Sequence, residues 1–342
     1  MTRPTPFPVF IAASAFAMSL ALVGLSPSAF ASAPQVRTQA PGFYRMMLGS
    51  FEITALLDGT HPFPDEAVLT KTGPGAKASK FFDGNPDEAR ALLAASDLSV
   101  PTEGSINAFL VNTGSRLILI DSGAGTLYGA CCGHLLANLR AAGYKPEQVD
   151  EVFLTHLHAD HIGGIAPAGR LAFPNAIVRA NRIDVDYWLN NANASAAPAF
   201  LRPMFKNDKT SLEPYMMAGR LRPFTGETEL VPGIKAIPTP GHTPGHTSYM
   251  VESKGERLLV WGDIIHVAAI QFPDPDVTVT YDSDDSQAKA TREAIFAEAA
   301  QKRFWIAAAH ISFPGLGHIG VRGKESVWIP ADYTTKLPAP TR

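Results

Sequence analysis

Residues 155–164 read Thr-His-Leu-His-Ala-Asp-His-Ile-Gly-Gly, which places four metal-capable side chains, His156, His158, Asp160 and His161, within six positions. Imidazole and carboxylate together suit zinc, and manganese, iron or cobalt accept the same donors. The stretch can offer two donors to one ion and two to a neighbouring one. Three further strings add donors. Pro240-Gly-His242-Thr-Pro-Gly-His246 follows an apolar run, 234–238. Val260-Trp-Gly-Asp263 ends on a carboxylate, and Ile306-Ala-Ala-Ala-His310 ends on a histidine. Each puts a ligand type at the C-terminal end of an expected strand, where the loops of a layered α/β protein gather into a site.

The elements that must position these groups can be read from periodicity. Residues 151–155 are short, apolar and β-branched, so they are expected as a buried strand. Side chains alternate along an extended chain, so His156 and His158 point the same way. Gly163-Gly164 is expected to let the backbone turn tightly behind the ligands. Residues 51–57 form a strand, and 106–112 with 116–121 form a hairpin turned at 113–115. Residues 61–104, rich in Pro, Gly and Asp with one helix near 86–95, are expected as an irregular excursion or lid. A helix over 135–142 ends at Gly143. Residues 182–222 form an irregular, partly helical insert, and 285–303 form a helix.

The chain has 342 residues, 46% of them hydrophobic, which suffices for a sizeable core. Its net charge of −3, with no basic block, argues against a nucleic-acid partner. Arg3 precedes an uncharged run, 9–25, and Ala29-Phe-Ala31 forms a small-residue cleavage pattern. The run is shorter than the roughly 20 residues of a spanning helix. A signal peptide over 1–31 is therefore expected, with no stable membrane anchor and a mature chain exported to the periplasm or beyond the cell. The two cysteines, Cys131 and Cys132, are adjacent, and neighbouring cysteines reach disulfide geometry only under strain. They are expected as buried or half-buried thiols without catalytic work. No G-x-S-x-G nucleophile motif is present. His61 and His134 have no pattern around them and are expected at the surface; His318 is expected to pack the C-terminal loop.

The order HxHxDH, GHTPGH, Gly262-Asp263 and a late His310 resembles the metallo-β-lactamase superfamily. The resemblance implies an α/β fold, the αββα metallo-β-lactamase sandwich, with a two-metal site at one edge. It implies one ion on His156, His158 and His242 and another on Asp160, His161 and His310. Asp263 would bridge the two, with a hydroxide between them as nucleophile and Asp263 and Asp160 as the catalytic carboxylates. Two divalent ions are expected, zinc foremost. Asp121, in Leu119-Ile-Asp121-Ser-Gly123, would orient a ligand histidine rather than bind metal. His246 is expected beside the ligands rather than among them.

Longer strings, among them Gly143-Tyr-Lys-Pro-Glu-Gln-Val-Asp150 and His310-Ile-Ser-Phe-Pro-Gly315, resemble the methyl-parathion-hydrolase branch, which also holds lactonases and dihydrocoumarin hydrolases. This implies a leader over 32–41, one hydrolase domain over 42–330, a tail over 331–342 and a homodimer. The implied substrate is a small lactone, aryl ester or organophosphate. Pocket candidates are Tyr128, Trp188, Phe205, His266, Tyr281 and Phe313. His266 stands where organophosphate specialists of the branch carry an aliphatic residue. Lactone and aryl-ester hydrolysis with promiscuous phosphotriester hydrolysis is therefore expected first, and a dedicated organophosphate hydrolase second. A β-lactamase is disfavoured, because many carry a second-site cysteine where this chain has the hydrolase carboxylates. A mononuclear iron oxygenase is disfavoured, because seven ligands exceed the needs of one iron.

Overall fold

The computed structural model describes residues 1–2, 33, 35–71, 79–84 and 86–337. The apolar run 9–25 and the cleavage pattern 29–31 lie outside the described residues. The chain divides into two compact units, Met1–Gln39 and Ala40–Arg342, and the sandwich lies within the second.

In chain order the strands are β1 Phe43–Leu48, β2 Phe51–Phe63, β3 Leu69–Lys71, β4 Ser79–Lys80, β5 Thr102–Asn112, β6 Leu117–Ile120, β7 Glu151–Phe153 and β8 Ile177–Arg179. There follow β9 Thr228–Val231, β10 Ile234–Pro238, β11 Thr247–Ser253, β12 Glu256–Val260, β13 Val277–Val279, β14 Trp305–Ala307, β15 Leu316–Arg322 and β16 Glu325–Pro330. Among the described residues they make a six-stranded sheet, β1-β2-β5-β6-β7-β8, a seven-stranded sheet, β16-β15-β14-β12-β11-β10-β9, and a small sheet, β13-β3-β4. Pairing is antiparallel except where β6, β7 and β8 run side by side and where β12 meets β14.

Alternation along the strands builds three apolar layers from two sheets. Ile118 and Ile120 of β6 join Leu258 and Val260 of β12 in the layer between the sheets. Leu117 and Leu119 face the other way, under the helices Leu135–Ala141, Arg182–Trp188 and Arg202–Met217. Leu259 likewise faces outward, under the helix Asp285–Lys302. Both faces of these central strands are covered, so their segments read as continuous apolar runs. The order helix, sheet, sheet, helix is the expected αββα sandwich.

Several details differ from the sequence expectations. The 61–104 excursion is shorter than expected. β2 continues as a paired strand to Phe63, opposite Thr102 of β5, so the departure begins at Pro64. The strands expected over 151–155, 260–263 and 306–310 stop at Phe153, Val260 and Ala307, and the ligands sit in the loops just beyond. Gly163 does not turn the chain in the left-handed region; its φ is −62°. It is needed for close approach, because a Cβ there would strike the carbonyl oxygen of Ala124, and one on Gly164 that of Ser122. His318 lies within β15 rather than in a loop, with Nδ1 3.1 Å from the Phe304 carbonyl. Cys131 and Cys132 are joined in a disulfide between neighbours, not left as free thiols. The turn Gly129–Cys131, with positive φ at Gly129 and Gly133 on either side, bends the loop enough to bring the two sulfurs together.

Candidate metal centre

The loops after β7, β11's predecessor β10, β12 and β14 converge at one edge of the sandwich. Two groups of buried donors result: His156, His158, His242 and Asp263, and Asp160, His161, Asp263 and His310. Within each group the donor atoms all lie within 4.8 Å of one another. Asp263 belongs to both. Its Oδ1 lies 3.0 Å from His161 Nε2 and 3.1 Å from His310 Nε2. Its Oδ2 lies 3.3 Å from His242 Nε2 and 3.6 Å from His156 Nε2. Donors around a tetrahedral ion at about 2.0–2.1 Å stand about 3.3 Å apart, so these spacings fit.

Hydrogen bonding gives an independent test of that fit. Nε2 of His156, His158 and His161 and Oδ1 of Asp263 are buried without hydrogen-bond partners. Buried polar atoms are normally paired, and the orphans on His156, His161 and Asp263 match the demand of divalent ions, while His158 turns its other nitrogen to the site, Nδ1 lying 2.9 Å from His242 Nε2. The opposite ring nitrogens are engaged. His161 Nδ1 lies 2.9 Å from Asp121 Oδ2, His242 Nδ1 2.6 Å from Asp282 Oδ1, and His310 Nδ1 2.9 Å from the Ser105 carbonyl. These contacts fix each ring with Nε2 toward the ion.

Asp121 also accepts the backbone N–H of Thr155 at 2.8 Å and its hydroxyl at 2.9 Å. It does so from a left-handed backbone, φ 62°, a conformation that costs energy for a residue with a Cβ. His246 Nε2 accepts the N–H of Asp263 at 3.0 Å, so it sets the carboxylate that both groups share. Gly262 leaves the room for this: its φ is +63°, and a Cβ would meet His246 Nε2 and Thr155.

The electrostatics are those of a site that holds protons when it holds no ion. Burial pushes His156 and His158 well below the ordinary histidine value, and neighbouring imidazoles add to the effect. Burial opposes charge on His242 too, but hydrogen bonds to Asp263 and Asp282 outweigh it and push the ring up to about 9. His161 is likewise raised, against burial, by Asp263, Asp160 and Asp121. Burial alone would raise Asp263; the charges of His161, His310 and His156 hold it well below the carboxylate range.

A cavity of about 220 Å³ opens onto the donors, lined by His61, Phe63, Pro64, Tyr128, His158, Asp160, Met204, Asp263, His266 and Tyr281. Three expected pocket residues, Tyr128, His266 and Tyr281, are there. Tyr128 is partly exposed and lines the cavity beside Asp160. His266 Nε2 lies 3.1 Å from Asp263 Oδ2, and its ring stacks between Phe63 and His310. The other three candidates do not line the cavity. Trp188 and Phe205 pack on each other, ring centroids 4.6 Å apart, in the helix-side core, and Trp188 meets His158 edge-on. Phe313 packs into the layer between the sheets, and its N–H bonds Ser105 Oγ. His61, expected at the surface, stands instead at the cavity edge-on to Tyr128. β2's extension carries it there, and with it Phe63. Thr60 and Phe63, residue types that favour strands, were the available signal. Asp282 carried none, since a single carboxylate in a loop has no spacing to distinguish it.

A family model for the metallo-beta-lactamase superfamily matches residues 101–310, which span every donor described above. The chain belongs to the metallo-beta-lactamase superfamily. Among solved structures it is similar to a hydrolase of the beta-lactamase superfamily, AbOPH, with 37% identity and a TM-score of 0.79 over 87% of this chain and 100% of that one. It is also similar to AidC, described as a dizinc quorum-quenching lactonase in complex with a product, with 29% identity and a TM-score of 0.74 over 86% of this chain and 99% of that one. The N-acyl homoserine lactonase of Bacillus cereus is 30% identical over 122 residues, 36% of this chain and 40% of that relative. The match thus spans well under half of the curated lactonase. Its buried His and Asp groups suit divalent ions.

Proposed function

We propose that the protein is a two-metal hydrolase of lactones and aryl esters with weaker phosphotriester hydrolysis, of the branch that holds methyl-parathion hydrolases and dihydrocoumarin lactonases. One observation carries the proposal: a compact, aromatic-walled cavity ends on the two carboxylates, Asp160 and Asp263, of paired donor groups. The likeness to AidC and to the curated lactonase supports a lactone substrate. Zinc is the first expectation for both ions. When bound, two divalent ions supply a water-derived nucleophile at neutral pH and polarise the bond under attack.

The chain's own residues do the rest. Asp263 and Asp160, at the cavity floor, would be among the residues that hold the ions. Phe63, His61 and Tyr281 offer flat apolar walls to a lactone or aryl ring and exclude water around it. Tyr128 stays protonated, because burial and then the Asp160 charge raise its hydroxyl well above the ordinary value. It can therefore donate a hydrogen bond to a carbonyl or leaving oxygen. No side-chain nucleophile competes: the Thr155 hydroxyl is committed to Asp121. His266 occupies space beside Asp263 that a tetrahedral phosphotriester with two extra alkoxy groups needs, whereas a planar ester does not.

The test is a kcat/KM panel on the metal-loaded protein with dihydrocoumarin, N-acyl homoserine lactones, naphthyl acetate, methyl-paraoxon and a cephalosporin. Lactones and aryl esters should exceed methyl-paraoxon by tenfold or more, and the cephalosporin should remain intact. A preference for methyl-paraoxon would instead indicate a dedicated organophosphate hydrolase.

A further inference from the structure

Asp184 lies in the first turn of the helix Arg182–Trp188, is buried, and contacts no cation among the described residues. Its carboxylate is nevertheless fully engaged. Oδ2 accepts the Thr243 hydroxyl at 2.7 Å, and Oδ1 accepts the Gly245 N–H at 2.6 Å. Thr243 follows His242 in the chain. One carboxylate thus holds the loop that supplies His242 at two points.

The fit around it is tight. A Cβ on Gly245 would clash with the Asp184 backbone nitrogen and carboxylate. The neighbouring N-cap, Asn181, bonds Thr247 Oγ1 at 3.1 Å and its own helix at Ile183 N, so the helix end is pinned to the start of β11. The other donor group is anchored elsewhere, His161 by Asp121 and His310 by the Ser105 carbonyl. Thr243 and Gly245, the donors that bond Asp184, belong to the loop of His242 and not to the loops of His161 or His310.

We propose that Asp184 is a positioning residue that sets the affinity of one metal site, His156–His158–His242, independently of the other. This rests on the two-metal reading of the centre. Outer partners of metal ligands typically govern affinity by about 10–100-fold. Removing a charged acceptor also leaves two donors, the Thr243 hydroxyl and the Gly245 N–H, unpaired in a buried place, which loosens the loop of His242.

The test is metal stoichiometry and chelator competition with zinc on the full chain, for wild type, Asp184→Ala, Asp184→Asn and Thr243→Val. Wild type should hold two ions. Asp184→Ala should hold one tightly and bind the other at least tenfold more weakly. Asp184→Asn and Thr243→Val, which retain part of the hydrogen-bond set, should fall between and serve if the alanine variant does not fold. Adding His242→Ala to Asp184→Ala should leave the tight ion in place, and adding His310→Ala should remove it. Equal weakening of both ions, or two ions at wild-type affinity in every Asp184 variant, would overturn the proposal. A wild type that holds one ion would overturn the two-metal reading itself, and the proposal with it.

Discussion

At the scale of single residues, the donors follow from density: three histidines and an aspartate in six positions leave little else for them to do. The residues that hold the donors were less legible. Asp282, Asp184 and the carbonyl of Ser105 each come from a different element, and only the fold brings them to a histidine ring or loop. His266 connects the two tiers, since it is buried against Asp263 and also walls the cavity. His266→Leu should raise kcat/KM for methyl-paraoxon roughly tenfold, the effect of about 1.4 kcal/mol in barrier, and lower it for dihydrocoumarin. A common factor for both substrates would show that His266 does not discriminate between them. The charge state of His242 yields a second expectation. Its folded value of about 9 lies above the ordinary 6.5, so the metal-free fold gains stability from it below pH 6.5 and loses that gain as pH rises through about 9. An ion needs the ring neutral, so zinc binding at pH 7.5 should release protons. Calorimetry in buffers of differing ionisation enthalpy measures this; heats that do not vary with the buffer would contradict it.

At the scale of elements, strand identity was legible because the central strands are apolar on both faces, and the helices over 135–142 and 285–303 were legible too, whereas 182–222, expected as an irregular, partly helical insert, holds the helices Arg182–Trp188, Asn191–Ala196 and Arg202–Met217. Strand ends were not, because the apolar runs continue past the last ladder bond into the ligand loops, as Trp261 and Ala308–Ala309 do. The vicinal disulfide was misjudged because the bend of the Gly129–Gly133 loop is a tertiary fact. The helix Arg202–Met217 carries another feature hidden from pattern reading. Asp208 is buried with both carboxylate oxygens unpartnered, and burial, then the charge of Asp184, raise it well above the usual range. A carboxyl raised in the fold binds its proton more tightly there than in the unfolded chain, so it increasingly destabilises the fold as pH rises from about 3.8 toward its folded value. Asp208→Asn removes that titration. Its urea midpoint should therefore gain on that of wild type as pH rises from 5 to 8. A difference that stays constant with pH would show that Asp208 is paired in solution.

At the scale of the whole molecule, two sheets and their covering helices serve to bring four loops to one edge, and the far end of β2 adds His61 and Phe63 to the cavity wall. Residues 3–32 are not among the described residues. We propose, from Arg3, the uncharged run and Ala29-Phe-Ala31, that export leaves a mature chain beginning at Ser32. N-terminal sequencing of protein recovered from its native host should read from Ser32, and an intact Met1 would refute it. The account as a whole rests on two ions acting together on a lactone. Its most direct test is to strip the protein of metal and add zinc stepwise while following dihydrocoumarin hydrolysis. The rate should climb and level off at two equivalents per chain. A plateau at one equivalent, or no hydrolysis at any loading, would contradict it.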